Sequence, residues 1–181
     1  MNTQKIALIG GPGTGKTTLI TALKAKGYHC MDEISRQITL EAQEQGIEQL
    51  FLEDPLLFSK QLLLGRQNQF LNAETRSENY VFFDRGLPDV VAYLDYLDSP
   101  YPESFKTVCT QHKYDQVFIL KPWEAIYTQD NERYESFEQA LVIHEFLVKT
   151  YAEYGYTCID IPFGTVESRI DFIENYLTPN A

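Results

Sequence analysis

The segment Gly10-Gly11-Pro12-Gly13-Thr14-Gly15-Lys16-Thr17 follows directly on the apolar run Ile6-Ala7-Leu8-Ile9. Its spacing, G-x-x-x-x-G-K-[ST], calls for a strand before it and a helix after it. Glycines let the chain bend until several N–H groups point inward, and such a concavity holds anions. The helix opening near Gly15 adds the partial positive charge of its amino end. A lysine at position 16 reaches the β- and γ-phosphates of a nucleotide, and the Thr17 hydroxyl is placed to ligate Mg²⁺. The expected cradle is Gly11, Pro12, Gly13, Thr14, Gly15, Lys16, Thr17 and Thr18. Glycine-rich turns before helices are common; the complete spacing between strand and helix is what points to a nucleoside triphosphate site.

Composition narrows the rest. The 181 residues fit one domain, 1–181, large enough to fold without a metal or disulfide staple. A net charge of −11 argues against a nucleic-acid groove and against a polybasic membrane patch. The three cysteines, Cys30, Cys109 and Cys158, form no Cys-x-x-Cys and are odd in number, as expected of buried thiols in a reducing cytoplasm. The apolar stretch near the start is too short for a signal peptide or a membrane span. Three scattered histidines give no zinc pattern.

Along the chain, strands are expected at Lys5 to Ile9, Tyr28 to Met31, Tyr80 to Phe83, Gln116 to Leu120 and Cys158 to Ile161. Helices are expected from Gly15 to Lys26, from Asp32 to about Gln45, and from an Asp54 cap with Pro55 to about Glu74. The last of these should bury Leu56, Leu57, Leu63, Leu64, Phe70 and Leu71. Further helices are expected over Pro88 to Asp98, Ser104 to His112, Ser136 (opening a capping box) to Tyr154, and Thr165 to Leu177. The polar stretch Lys121 to Glu135 reads as a long functional loop. Strands alternating with helices mean an α/β fold with a parallel sheet, whose ligands bind beyond the carboxyl ends of the strands.

The residues following each strand are therefore the candidates. Asp32 and Glu33 follow the second strand. Either can act as base toward a hydroxyl, while Arg36, three residues beyond Glu33, would share its helix face and orient that hydroxyl. The plainer alternative is an i,i+3 surface salt bridge. Asp84 ends the third strand, where a carboxylate can hold a metal-bound water or accept a proton; it can equally cap the next turn. Arg85 can clamp an acceptor or simply pair with nearby acids. Arg133, in the loop after the fourth strand, can neutralise transferred charge or stay solvated. Gln61, Arg66, Gln67 and Gln69 on the long helix read as a solvated face, with the lining of an acceptor pocket as the alternative, and Trp123 as a packing residue, with a hinge anchor as the alternative.

The phosphate loop, then Glu33-x-x-Arg36, then Phe83-Asp84-Arg85-Gly86, then Asp130-x-x-Arg133, resembles the AAA-type ATPase/kinase domain family of P-loop NTPases. That family includes the nicotinamide riboside kinase domain of NadR proteins. The resemblance covers residues 4 to 177. It implies a nucleoside-kinase-like three-layer sandwich with a five-stranded parallel sheet ordered 2-3-1-4-5. It also implies an acidic base in Glu33 or Asp32, a metal- and phosphate-facing pair in Asp84 and Arg85, a lid arginine in Arg133 and an adenine border at Gly164, Thr165 and Val166. The lid has one arginine where many small kinases have two or more.

Two readings follow. One is a small-molecule kinase using Mg-ATP, with a nucleoside or nicotinamide riboside type of acceptor held by Glu33, Arg36 and Arg85. The other is a nucleotide switch that hydrolyses ATP or GTP slowly and acts through a protein partner. Paired acid and arginine after strands two and three favour the kinase. The missing Asn-Lys-x-Asp motif favours ATP over GTP. Nothing in the sequence points to an oligomeric state.

Overall fold

The computed structural model describes residues 3–48, 50–127 and 135–178. The central strand, β1 (Gln4–Ile9), is built from residues that must be buried, and Ile6, Ala7, Leu8 and Ile9 are wholly inaccessible. Burying each large aliphatic side chain contributes about 1.5–3 kcal/mol, so this strand belongs at the centre of the sheet. Around it lie β2 (His29–Met31), β3 (Tyr80–Asp84), β4 (Gln116–Leu120) and β5 (Ile159–Ile161). All pair in parallel in the order β2-β3-β1-β4-β5, as the resemblance implies. The register sets Leu8 beside Asp84 and Ile9 beside Ile119, so β1, β3 and β4 finish at one level.

Alternation along each strand builds two cores. Ile6, Leu8, Phe82 and Phe118 face α1 (Lys16–Ala25) and α8 (Val166–Leu177). Ala7, Ile9, Phe83 and Ile119 face the other layer, which contains α2 (Ser35–Glu44), the single turn α3 (Leu50–Glu53), α4 (Pro55–Glu74), α5 (Leu87–Tyr96), α6 (Glu103–Gln111) and α7 (Phe137–Glu153). Among the described residues no helix is long and apolar enough to cross a membrane.

The caps fall where the sequence places them. The Asp54 carboxylate accepts from Leu57 N at 2.9 Å, ahead of Pro55. Ser136 and Gln139 exchange side-chain-to-backbone bonds at the start of α7, at 3.2 and 2.7 Å. Three expectations are corrected. Helix α2 begins at Ser35 rather than Asp32, because Asp32 and Glu33 are drawn into side-chain contacts before the helix opens. Helix α3 was not expected. On α4, Leu57, Leu64 and Leu71 are 39, 59 and 43% exposed; the buried face is Ser59, Leu62, Leu63, Arg66, Phe70 and Ala73. The helix is apolar on two sides, and a count of leucines does not tell which side meets the sheet. Of the expected loop from Lys121 to Glu135, residues Glu124–Ile126 form a 3₁₀ turn, and 128–134 lie outside the described residues.

Candidate active site

The phosphate loop starts where β1 runs out of partners. Gly13 and Gly15 have φ of +69° and +80°, which L side chains rarely adopt. A Cβ on Gly13 would strike the Tyr127 ring, and one on Gly15 would lie 3.0 Å from an Arg169 nitrogen. Both positions thus require glycine for conformation and for room. The loop is also braced from within and behind. The Thr14 hydroxyl donates to the Gly11 carbonyl at 3.1 Å, and both terminal nitrogens of buried Arg169 donate to the Thr14 carbonyl at 3.3 Å. Thr14 is itself buried, so only its backbone is free to face a ligand. Thr17 and Thr18 stand exposed at the first turn of α1, where a Thr17 hydroxyl can enter a metal's ligand sphere.

Lys16 is 7% exposed, and its ammonium donates to Asp84 Oδ1. Burial pushes its pKa below the usual amine range, and the neighbouring Arg85 pushes the same way. Asp84 opposes both by pairing with it. A carboxylate at the end of β3, level with the loop, thus already holds the lysine that would meet the phosphates.

The next residue, Arg85, departs from strand geometry at φ +74° while its N–H still bonds the Leu8 carbonyl at 3.0 Å. That turn swings its guanidinium across the strand ends. There Nε lies 2.6 Å from Glu33 Oε2, and Nη1 lies 3.2 Å from the Gly10 carbonyl and 3.4 Å from Asp89 Oδ1. The Tyr93 ring lies beneath it, 5.6 Å away. Glu33 has a second cation, Arg66 Nη2, at 3.1 Å, and accepts from Ser35 N at 3.2 Å. Burial alone would raise the Glu33 pKa, but Arg66, Arg85 and Lys16 together hold it down to about 2. Arg66 is 4% exposed and also donates to the Gly86 carbonyl at 3.1 Å. Asp89, 1% exposed, ties off the turn by accepting from Gly86 N at 2.9 Å and the Tyr151 hydroxyl at 2.5 Å.

The two acids left open after β2 now separate. Asp32 is mostly exposed and pairs with Lys24 on α1, whereas Glu33 turns inward. The expectation that Glu33 and Arg36 share a helix face is corrected, because Glu33 precedes α2 and its ion pairs run to Arg66 and Arg85. Arg36 is exposed on the first turn of α2. Thr165 uses its hydroxyl to cap α8, accepting from Ser168 N at 3.2 Å. Val166 opens that helix and packs against its core. The neighbouring Phe163 stacks on Trp123, centroids 5.0 Å apart and planes at 25°, so Trp123 packs as expected and joins the turns after β4 and β5. Asp130 and Arg133 lie outside the described residues.

Sequence reasoning preferred a solvated face for Arg66, with a pocket only as the alternative, and missed Asp89 and Arg169. A signal for the first exists: Arg66 interrupts the row Leu62, Leu63, Phe70 that meets the core. Asp89 sits at the third position of a helix opened by Gly86, where a carboxylate closes back on the cap. No pattern marked Arg169.

Among the described residues no group of three His, Cys, Asp or Glu side chains could cage a metal. The exposed Thr17 hydroxyl and the Asp84 carboxylate are oxygen donors of the kind that could hold a magnesium ion arriving with phosphates. An amide-lined loop with no room for a Cβ, a buried lysine and an exposed threonine is the donor set such a nucleotide complex needs.

The strand order and the loop define a P-loop NTPase with the nucleoside-kinase-like arrangement of its sheet. The chain belongs to the AAA domain family, whose model matches residues 5–169. A search of curated proteins found no match. Among solved structures, the chain is similar to deoxyadenosine kinase from M. mycoides bound to dCMP and dCDP. The TM-score is 0.70 at 18% identity, covering 98% of this chain and 100% of that one. It is also similar to NadR protein in complex with NR, at TM-score 0.74 and 18% identity over 99% of this chain. A NadR complex with NAD and AMP-PNP scores 0.71, also at 18% identity over 99% of this chain. The chain spans only 52 and 50% of those two NadR chains.

Proposed function

We propose that the protein is a small-molecule kinase that uses Mg-ATP and phosphorylates a hydroxyl acceptor of the nucleoside or nicotinamide riboside type. The observation that carries this reading is Glu33, held between Arg66 and Arg85 beside the Lys16–Asp84 pair. A nucleotide switch has no need of an inward carboxylate clamped by two buried arginines next to its phosphate loop. The similarity of fold to deoxyadenosine kinase and NadR structures supports the same class of acceptor.

Bound Mg-ATP supplies the phosphoryl group and the metal charge. The loop amides and Lys16 hold the triphosphate, and Lys16 moves from Asp84 toward the phosphates as they enter. Thr17 and the Asp84 carboxylate, once freed from Lys16, would hold the metal ion, which would supply neutralising charge at the phosphates. Glu33 accepts the acceptor's hydroxyl hydrogen and aims its oxygen in line with the transferred phosphorus. A carboxylate held at about 2 is a weak base, so orientation is its main contribution, and the proton leaves late, as the new O–P bond makes it acidic. Arg85 and Arg133 neutralise the charge spread over the transferred group. The backbone around Thr165 and Val166 borders the base.

A panel of nucleosides, nicotinamide riboside and nucleoside monophosphates, assayed with Mg-ATP for phosphorylated product, tests the reading. Transfer to one ribosyl acceptor is the expected result. Slow hydrolysis with no product from any acceptor would favour the switch.

A further inference from the structure

Three arginines hold backbone carbonyls around the site: Arg66 that of Gly86, Arg85 that of Gly10 and Arg169 that of Thr14. They differ in what balances their charge. Arg66 is paired with Glu33, and Arg85 with Glu33 and Asp89. Arg169, on α8, is 3% exposed, and burial lowers its pKa with no neighbouring charge opposing the shift. Both of its terminal nitrogens share one oxygen, that of Thr14, at 3.3 Å, and Nε is buried without a partner. Taking an ion out of water is costly, and a single neutral carbonyl repays little of it. A brace on a carbonyl needs only a neutral donor, such as an amide or a hydroxyl. In a chain of net charge −11, a buried cation without its anion calls for an anion from outside.

The peptide between Thr14 and Gly15 is the link to that anion. A trans peptide is planar, with its C=O and N–H pointing in opposite directions. Arg169 draws the Thr14 carbonyl toward α8, and the Gly15 N–H on the same peptide therefore points away from α8. The Thr14 side chain offers nothing in its place, because its hydroxyl is buried and donates to the Gly11 carbonyl. An amide whose carbonyl accepts from a cation is polarised, and its N–H becomes a stronger donor. We infer that Arg169 is a positioning residue for bound nucleotide: it turns the Thr14–Gly15 peptide so that the Gly15 N–H faces the phosphates, and it strengthens that donor with its own charge. This role rests on the reading of the loop as a nucleotide cradle, and on no particular acceptor. The absence of a Cβ at Gly15 lets the arginine come this close, since one there would lie 3.0 Å from Arg169 Nη1.

Calorimetric titration with Mg-ADP, which needs no turnover, tests the inference. Arg169→Gln keeps a neutral donor for the Thr14 carbonyl and removes the charge; Arg169→Lys keeps the charge. The first should bind Mg-ADP about tenfold more weakly than wild type, and the second should stay within about threefold. Ile173→Val, a core change on the same helix, controls for loosening of α8: it should lower the melting temperature and leave the affinity unchanged. In nitrogen–proton correlation spectra, the Gly15 amide proton should move downfield on Mg-ADP binding in wild type and Arg169→Lys, and by markedly less in Arg169→Gln. Affinity within about twofold of wild type in Arg169→Gln overturns the inference, and so do equal Gly15 shifts in the two chains. If the glutamine chain does not fold, Arg169→Lys decides alone, and a tenfold loss there overturns the role of charge. Binding and transfer are read separately. A wild-type chain that binds Mg-ADP with the expected dependence on Arg169 but phosphorylates no acceptor supports this role and sinks the kinase reading. Transfer with Arg169→Gln unimpaired does the reverse, and a wild-type chain that binds no Mg-ADP overturns both.

Discussion

The phosphate loop and the charged group around Glu33, the proposed acceptor cluster, lie side by side at the strand ends, but they are built in different ways. The loop is contiguous in sequence and offers backbone N–H groups, so its geometry follows from φ angles at Gly13 and Gly15. The acceptor cluster offers only side chains. Glu33 comes from the turn after β2, Arg66 from α4, Arg85 from the turn after β3 and Asp89 from α5, with Tyr151 reaching in from α7. A backbone site tolerates drift in the elements around it. A side-chain site assembled from five elements is only as accurate as the packing between them, and it depends on every charge being matched. Two arginines share Glu33, and Arg85 is also matched by Asp89. Removing one member therefore unbalances the others.

The largest expected effect lies in the loop. Lys16→Ala should lower turnover by about 10³-fold or more, roughly 4 kcal/mol of transition-state stabilisation, and weaken triphosphate binding. Asp84 is then left buried without its cation. Steady-state kinetics with Mg-ATP titration checks this, and near-normal turnover would mean that the cradle is not where the chemistry occurs. Glu33→Gln comes next. It should lower kcat about 10²-fold with little change in the KM for ATP, because Glu33 reaches the loop only through Arg85, which keeps Asp89 as a second partner. A rise in the KM for ATP equal to the fall in kcat would erase the distinction between the two halves.

Acid titration probes the same carboxylate. Its folded pKa of about 2 lies below the ordinary carboxylate value, so its stabilising effect is complete above about 4.5 and fades as pH falls toward 2. The shift corresponds to about 3 kcal/mol at most, with the Glu33 side chain 22% exposed. Urea melts of wild type and Glu33→Gln should therefore differ most at pH 6, draw together below about pH 4.5 and converge only near pH 2. A difference that stays constant with pH would show that the arginines do not depend on this charge.

The same contrast explains what could be read from the sequence. The loop, the five strands, the caps at Asp54 and Ser136 and the approach of Glu33, Asp84 and Arg85 to one end are local or follow from strand alternation. Arg66 was read as a solvated residue because its burial is settled by which side of α4 meets the sheet. Both sides of that helix are rich in leucine, so periodicity leaves the choice open. Likewise three-residue spacing pairs Glu33 with Arg36 only if a helix already runs through both. The chain instead delays its helix to Ser35 and gives Glu33 to cations distant in sequence. Long-range charge matching leaves no periodic trace.

The smallest predicted effect tests whether the loop is as self-contained as its sequence suggests. Arg169 on α8 holds the Thr14 carbonyl with both terminal nitrogens, and α8 is capped by Thr165. Thr165→Ala removes the cap and should cost about 1 kcal/mol, a fall in Tm of roughly 2–4 °C for a chain of this length. If the glycines alone set the loop, Mg-ATP affinity by calorimetry should stay within about twofold of wild type. If Arg169 sets it, fraying the first turn of α8 will loosen the Thr14 carbonyl, and affinity will fall several-fold while the acceptor's KM is unmoved. The second outcome would mean that both halves of the site are assembled from distant elements, and that the loop differs from the acceptor cluster in degree, not in kind.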